Sequence, residues 1–347
     1  MSVYKNIVRS ILFNLEAENA HETACDFLAL LHRSPFICNL LRKINQVHEA
    51  KPIELFGLTF PNRIGLAAGF DKNGKFPRAA EAFGFGHIEI GTVTPQAQPG
   101  NPKPRLFRVS DQNALINRMG FNNLGAKAMY ESIHSDFPKQ SRTVPLGINI
   151  GKAKTTPIEN AVRDYLACFD MLADQADYFT INVSSPNTKN LRSLQSDDEL
   201  KILLKALQQR NNQRAESKQE KPIPMILKIA PDLSYDELDI LINNVIEHRY
   251  DGIIATNTTI QRPTHISLNE DGGFSGGDFM HELSMRTITH IVKQTNGNLP
   301  IIAAGGINNV ETAREKIEAG ASLTQIYTGW IYEGPFLPKR IATGLRK

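Results

Sequence analysis

The sequence predicts an α/β fold: a closed (β/α)8 or TIM barrel with a small helical extension at its N-terminus. Three observations carry that prediction. From about residue 62 onward, eight short apolar or β-branched runs alternate with amphipathic stretches of helical period. The 347 residues leave room for one barrel of about 250 residues and one small appendage. The first fifty residues lack the alternation and carry apolar stripes at helical spacing instead. The expected division is therefore residues 1–50 for the extension and 51–347 for the barrel.

Taken in order, Tyr4, Ile7, Val8, Ile11, Leu12 and Leu15 form one helical stripe, and Ala24, Phe27, Leu28 and Leu31 a second. Pro35 opens a third short helix carrying Phe36, Leu40 and Leu41. These helices read either as a cap packed on the barrel or as a pair that binds a surface. Lys5 and Arg9 tilt the balance slightly towards an anionic membrane surface. Pro52 to Pro61 reads as a linking hairpin turning at Gly57. The eight runs are 63–68, 87–93, 145–150, 178–183, 224–229, 252–257, 300–304 and 323–328. Continuous apolar runs suit strands buried on both faces. Eight of them fit a closed barrel, where an open doubly wound sheet usually stops at about five or six. Helices are expected over 159–172 and over 235–247, the second capped by Ser234.

Composition removes several function classes. Lys plus Arg is 39 against 36 for Asp plus Glu, a formal charge of +3, too weak a field to argue for nucleic acid. Cys25, Cys38 and Cys168 make neither a CxxC metal pattern nor an even disulfide framework, so no metal and a reducing, intracellular compartment are expected. No run approaches the roughly 18 apolar residues of a membrane span, and no signal peptide is visible. Contact with a bilayer surface stays open.

Several strands end in polar or glycine residues, which in a barrel face one mouth. Gly65 to Gly74 leaves the first strand with small residues and then presents Lys72, a point charge for a carboxylate or a solvated lysine on a glycine turn. In Ile181 to Thr188, Asn182 and Asn187 offer amides to a planar heterocycle, or shape an ordinary turn. Between them Ser185 is a candidate base, which needs a proton relay such as Thr188 or a water. Asn117 to Asn123 lies in a long connection and reads as a ligand-contacting lid, with Arg118 either on ligand or bridging loops. Lys228 ends an apolar strand, where a lone charge is costly unless it meets an anion. Gly305 and Gly306 after the seventh strand, with Tyr327, Thr328 and Gly329 after the eighth, occupy the recurrent phosphate-binding position of such barrels.

Together these residues resemble the class 2, quinone-dependent dihydroorotate dehydrogenases of pyrimidine synthesis. The likeness runs through Leu-Thr-Phe-Pro-Asn, Gly-Leu-Ala-Ala-Gly-Phe-Asp-Lys, Glu-Ile-Gly-Thr-Val-Thr-Pro, Asn-Arg-Met-Gly-Phe-Asn-Asn, Gly-Ile-Asn-Ile-Gly, Asn-Val-Ser-Ser-Pro-Asn-Thr, Ala-Thr-Asn-Thr-Thr and Gly-Gly-Phe-Ser-Gly, in order and over essentially the whole chain. Glu16-Ala17 stands where the family more usually has Asp-Pro, which bears on local helix geometry. The resemblance implies that Ser185 takes a proton from C5 of dihydroorotate while hydride leaves C6 for N5 of FMN. Serine there, where class 1 relatives have cysteine, points with the N-terminal helices to a quinone oxidant. It implies substrate contacts at Lys72, Asn117, Arg118, Met119, Gly120, Phe121, Asn182, Asn187, Asn257 and Thr258. Flavin contacts are implied at Ala68, Gly69, Phe70, Asp71, Lys72, Thr92, Asn149, Asn182, Lys228, Thr256, Gly276, Gly306, Tyr327 and Thr328. Arg192 and its neighbours are a candidate lid that excludes water. A peripheral protein on the cytoplasmic face of the inner cell membrane is expected, meeting a membrane quinone and needing no obligate protein partner. The rivals are an FMN barrel acting on another pyrimidine or on a uridine in RNA, a barrel lyase or isomerase that binds a substrate phosphate, and a non-catalytic scaffold.

Overall fold

The computed structural model describes residues 3–47, 51–188, 190–268 and 270–346, so the expected boundary at residue 50 lies outside the described residues. The eight runs become the strands β1 (Ile64–Leu66), β2 (His87–Val93), β3 (Leu146–Ile150), β4 (Tyr178–Asn182), β5 (Met225–Ile229), β6 (Gly252–Ala255), β7 (Ile301–Ala304) and β8 (Leu323–Ile326). They pair in that order, all parallel, and β8 pairs with β1 to close the barrel. Every residue of these strands is buried, because helices cover the outside while side chains fill the inside. Gly147 shows how full the interior is: a Cβ there would lie 2.1 Å from the ring of Tyr178.

A hairpin of Ile53–Leu55 and Leu58–Phe60 closes the bottom of the barrel. Its two-residue turn is Phe56-Gly57, with φ of 55° and 70°, the mirror-image turn whose twist suits a hairpin. Phe60, Phe56 and Leu58 pack on Tyr178, Ile226, Ile254, Ile302 and Leu323. At the other end the connection between β2 and β3 is more than the loop the sequence suggests. It folds into two antiparallel strands, Leu106–Val109 and Ala114–Asn117, to which Gly273–Gly276 adds a third. Left-handed Asn113 (φ 47°) turns the pair, and Val109, Ala114, Ile116 and Phe274 form its small core. The helix Tyr235–Glu247 starts at Ser234 in a reciprocal cap with Glu237. The other expected helix begins at Ala161, after a single 3-10 turn over Ile158–Asn160.

The extension contains the helices Arg9–Phe13, Ala17–His32 and Pro35–Asn45. Glu16 caps the second by accepting hydrogen bonds from the amides of Glu18 and Asn19, so the departure from Asp-Pro keeps the cap. Buried Glu18 meets buried Arg105, whose Nε and Nη2 reach its carboxylate at 2.8–3.1 Å. Burial pushes the Glu18 carboxyl up, but the hydrogen bond and charge of Arg105 outweigh it and hold the pKa below the usual range. Tyr4 Oη donates to the Ile331 carbonyl (2.6 Å) and Arg9 to that of Tyr332 (3.0 Å). The other side stays bare: Ile7, Ile11, Phe27, Leu30, Phe36, Leu40 and Ile44 are all exposed. No described helix is long and apolar enough to cross a membrane.

Candidate functional site

The C-terminal ends of seven of the eight barrel strands line one cleft, which encloses about 1310 Å3 of empty space with its solvent mouth included. After β1 the chain runs through Ala67, Ala68 and Gly69, all on the wall. Asp71, buried, accepts hydrogen bonds from the backbone amides of Asn73, Lys75 and Phe76. The turn it holds leaves Lys72 on the cleft wall. Among the described residues no hydrogen bond or ion pair reaches Lys72, and burial lowers its pKa. Phe70 turns away from the cleft, packing on Tyr327 and Trp330 with ring centroids 5.2 and 4.7 Å apart and edge-on to His21 of the extension.

Beneath the cleft a ladder of amides joins β2, β3 and β4. Asn149 sits wholly buried behind the wall; its Nδ2 donates to Glu89 (2.8 Å), and its Oδ1 accepts from Thr92 Oγ1 (2.5 Å) and from Asn182 Nδ2 (3.1 Å). Asn182 Oδ1 in turn accepts from Ser184 and from Asn257 Nδ2 (3.3 Å). Lys228, only 5 % exposed, places Nζ 3.9 Å from Glu89. Burial lowers its pKa, and Glu89 opposes the shift. At 3.9 Å the carboxylate screens this charge without forming a close hydrogen bond, so the Lys228 ammonium remains open to an anion in the cleft.

Ser185 lies on the wall 6 % exposed, its Oγ accepting from the Asn187 amide (3.3 Å). Asn187 Nδ2 donates to Asn117 Oδ1 (3.0 Å), which ties this loop to the small antiparallel sheet. Gln98 supports the neighbouring turn from below, donating to the carbonyls of Gly120 (2.9 Å) and Phe121 (3.0 Å). Arg192 joins three loops: it donates to the carbonyls of Ser184 and Thr258, both at 3.0 Å, and pairs with Asp232 at 2.7 Å. Two hydroxyls here, those of Thr188 and Thr258, are buried and have no hydrogen-bond partner among the described residues. The far end of the cleft is built of backbone: Gly276 and Gly277 at the start of the helix Gly277–Thr295, then Gly305, Gly306, Thr328 and Gly329. A Cβ on Gly306 would come within 2.4 Å of the His281 amide nitrogen, so only glycine fits. Short loops with free amides of this kind suit a phosphate.

Of the residues expected at a site, Lys72, Asn117, Met119, Gly120, Phe121, Asn182, Ser185, Asn187, Asn257 and Thr258 share this wall with Ala68, Gly69, Thr92, Lys228, Thr256, Gly276, Gly306, Tyr327 and Thr328. Four stand behind it. Phe70, Asp71 and Asn149 support the wall as described. Arg118 faces outward, stacked over Phe107 at 4.6 Å and paired with Glu270 at 2.7 Å; that is its loop-bridging alternative. Sequence reasoning passed over Asn113, Ser275, Met280, Gln325 and Tyr332 on the wall, and Glu89 beneath it. Glu89 and Gln325 carried a usable signal, a polar residue inside an otherwise apolar strand.

Comparison with known proteins identifies the family. A family model described as dihydroorotate dehydrogenase matches residues 52–347. A protein of Paracidovorax citrulli named dihydroorotate dehydrogenase (quinone) is 46% identical over 98% of this chain and 96% of its own. One of the same name from Synechococcus is 42% identical over 100% and 94%. A crystal structure of DHODH from Eimeria tenella in complex with ferulenol superposes with a TM-score of 0.82 at 36% identity, covering 93% of this chain and 90% of that one.

Proposed function

The chain belongs to the dihydroorotate dehydrogenase family, and we propose that it oxidises dihydroorotate to orotate in pyrimidine synthesis, passing the electrons through FMN to a membrane quinone. The observation that carries the proposal is the convergence of Ser185, the amides of Asn117, Asn182, Asn187 and Asn257, and two lysines without close acid partners on one cleft. The residues present fit a flavin mononucleotide. Gly276, Gly306 and Thr328 supply a phosphate cradle, and Lys228 supplies a cation for the pyrimidine edge of the isoalloxazine. Thr258 Oγ1 and Gln325 Oε1, on the cleft wall, are buried polar atoms awaiting partners. Bound FMN supplies the acceptor for the hydride that leaves C6 of the substrate.

The chain's own residues do the remaining work. Lys72 meets the substrate carboxylate as a point charge. Asn117, Asn187 and Asn257 match the carbonyl and N–H edges of the ring, because each amide offers both a donor and an acceptor. Ser185 Oγ takes the proton from C5; the Thr188 hydroxyl, or a water beside it, carries that proton onward. Arg192 and Asp232 hold the serine loop against the Thr258 loop, which keeps water out during transfer.

The extension, assigned to residues 1–50, serves the electron acceptor. Its bare apolar face suits the surface of a bilayer, entered to the depth of a side chain, and its packed face meets Phe70, which in turn packs on Tyr327 beside the cleft. The bare face supports reading the protein as peripheral, on the cytoplasmic face of the inner cell membrane, with residues 51–347 as the catalytic barrel. The test is spectroscopic. Purified protein should be yellow, bleach on anaerobic addition of dihydroorotate, and recover colour with a short-chain quinone but not with fumarate. A colourless protein, or a flavin indifferent to dihydroorotate, overturns the assignment.

A further inference from the structure

We propose that Glu89 is a positioning residue: it sets which way the amides of Asn149 and Asn182 face, and so fixes the hydrogen-bonding pattern that the cleft offers its ligands. The inference rests on the reading of the cleft as a flavin and pyrimidine site. Glu89 is not itself part of the cleft wall, although Gln325 and Lys228, which reach it, are; it lies in β2, fully buried inside the barrel. A carboxylate only accepts hydrogen bonds, and this one accepts four: from Asn149 Nδ2 (2.8 Å), from Gln325 Nε2 (2.8 Å), from Thr180 Oγ1 (3.0 Å) and from Tyr178 Oη (3.5 Å).

The constraint propagates upward. Because Asn149 must turn its nitrogen to Glu89, its oxygen faces the cleft side, where it accepts from Thr92 Oγ1 and Asn182 Nδ2. Asn182 must therefore turn its own oxygen the other way, towards the amide and hydroxyl of Ser184 and Nδ2 of Asn257. Ser184 precedes the proposed base and Asn257 is a proposed ring contact. One acceptor-only group at the floor thus dictates donors and acceptors two layers above it. Uncharged glutamine in its place brings its own NH2 group into the ladder. If that group meets Asn149, then Asn149 reverses, Asn182 follows, and the Asn182 nitrogen is turned against donors. If it faces Gln325 and Thr180 instead, a donor opposes donors on that side.

The swap Glu89→Gln with Asn149→Asp separates orientation from packing. In that double variant the new amide on β2 donates to the new carboxylate on β3, and this carboxylate also accepts from Thr92 and Asn182. Every donor again meets an acceptor, and the total charge is unchanged. Orotate affinity is read from the perturbation of the flavin spectrum in wild type, Glu89→Gln and the double variant, with bound FMN counted in each. The single variant should lose about tenfold or more in orotate affinity, the scale of a buried polar mismatch; the double variant should return to within about threefold of wild type. A single variant that binds as wild type does, or a double variant no better than the single, overturns the proposal. If the single variant does not fold, the double is compared with wild type directly; its failure to fold, or weak binding once folded, also counts against the role. A wild-type protein that binds no flavin or no orotate speaks against the functional reading instead.

Discussion

The barrel and the N-terminal extension handle apolar surface in opposite ways. Along the barrel strands every residue is buried and polar groups are brought inside, where all but the ring of His87 find a partner or face the cleft. In described residues 3–47, eleven large apolar side chains are exposed, against eight in all of described residues 51–346. A soluble surface of that size rarely leaves such a patch bare unless something covers it. The barrel encloses its cleft, and the extension carries the exposed apolar face that the proposed docking uses. The two are nevertheless one packed structure, since Phe13 and Ala17 join Leu106, Leu115 and Tyr332 in a shared cluster.

The comparison can be broken at three points. The largest effect is expected inside the barrel: Ser185→Ala should keep FMN bound while slowing flavin reduction by dihydroorotate about a thousandfold, within the range of a lost general base. Stopped-flow absorbance measures it, and an unchanged rate removes Ser185 from its role. A smaller effect is expected in the extension, where Phe36→Glu, Leu40→Glu and Ile44→Glu together put charges on the exposed face. Co-sedimentation with anionic lipid vesicles should fall about tenfold or more, while turnover with a short-chain quinone stays as in wild type. Equal losses in both assays would mean that the face is needed for folding or catalysis rather than for docking.

The smallest effect concerns pH. Burial depresses the pKa of His87 to about 3, so the folded chain refuses a proton that the unfolded chain accepts below about 6.5. Its contribution is therefore neutral above that pH and increasingly unfavourable as pH falls towards 3, roughly 2 kcal/mol at pH 5. His87→Leu removes this penalty. The melting temperature of the variant relative to wild type should rise by about a few degrees between about pH 7.5 and about pH 5. A difference that does not change with pH means that His87 takes its proton in the folded state.

What was legible in the sequence follows from the same physics. Strands buried on both faces write unbroken apolar runs, and all eight barrel strands fall within such runs. The small antiparallel sheet escaped notice because its strands are four residues long and its first pair carries Arg108 and Asn117 among apolar neighbours. Its hairpin turn depends on left-handed Asn113, and no glycine marks it. Within the glycine loop after β1, motif reading did not separate the residues that face the cleft, Gly69 and Lys72, from those that hold the loop, Phe70 and Asp71. The separation depends on which backbone amides Asp71 captures, a fact of three dimensions. Glu89 was passed over because its partners, Asn149, Thr180, Gln325 and Lys228, lie on four other strands.

The Glu18–Arg105 pair bears on how the protein approaches a lipid sheet. Removing one partner of such a buried pair costs about 3–5 kcal/mol, so the clasp does not open under thermal motion. The same guanidinium also grips the carbonyls of Pro99 and Asn101, next to the strands that frame the cleft. Under the proposed docking, a molecule landing through its bare helices comes to rest at one tilt, with the mouth of the barrel at a fixed angle to the sheet. Electron delivery on that proposal is a matter of lateral sliding in two dimensions, and no rotational search follows the landing.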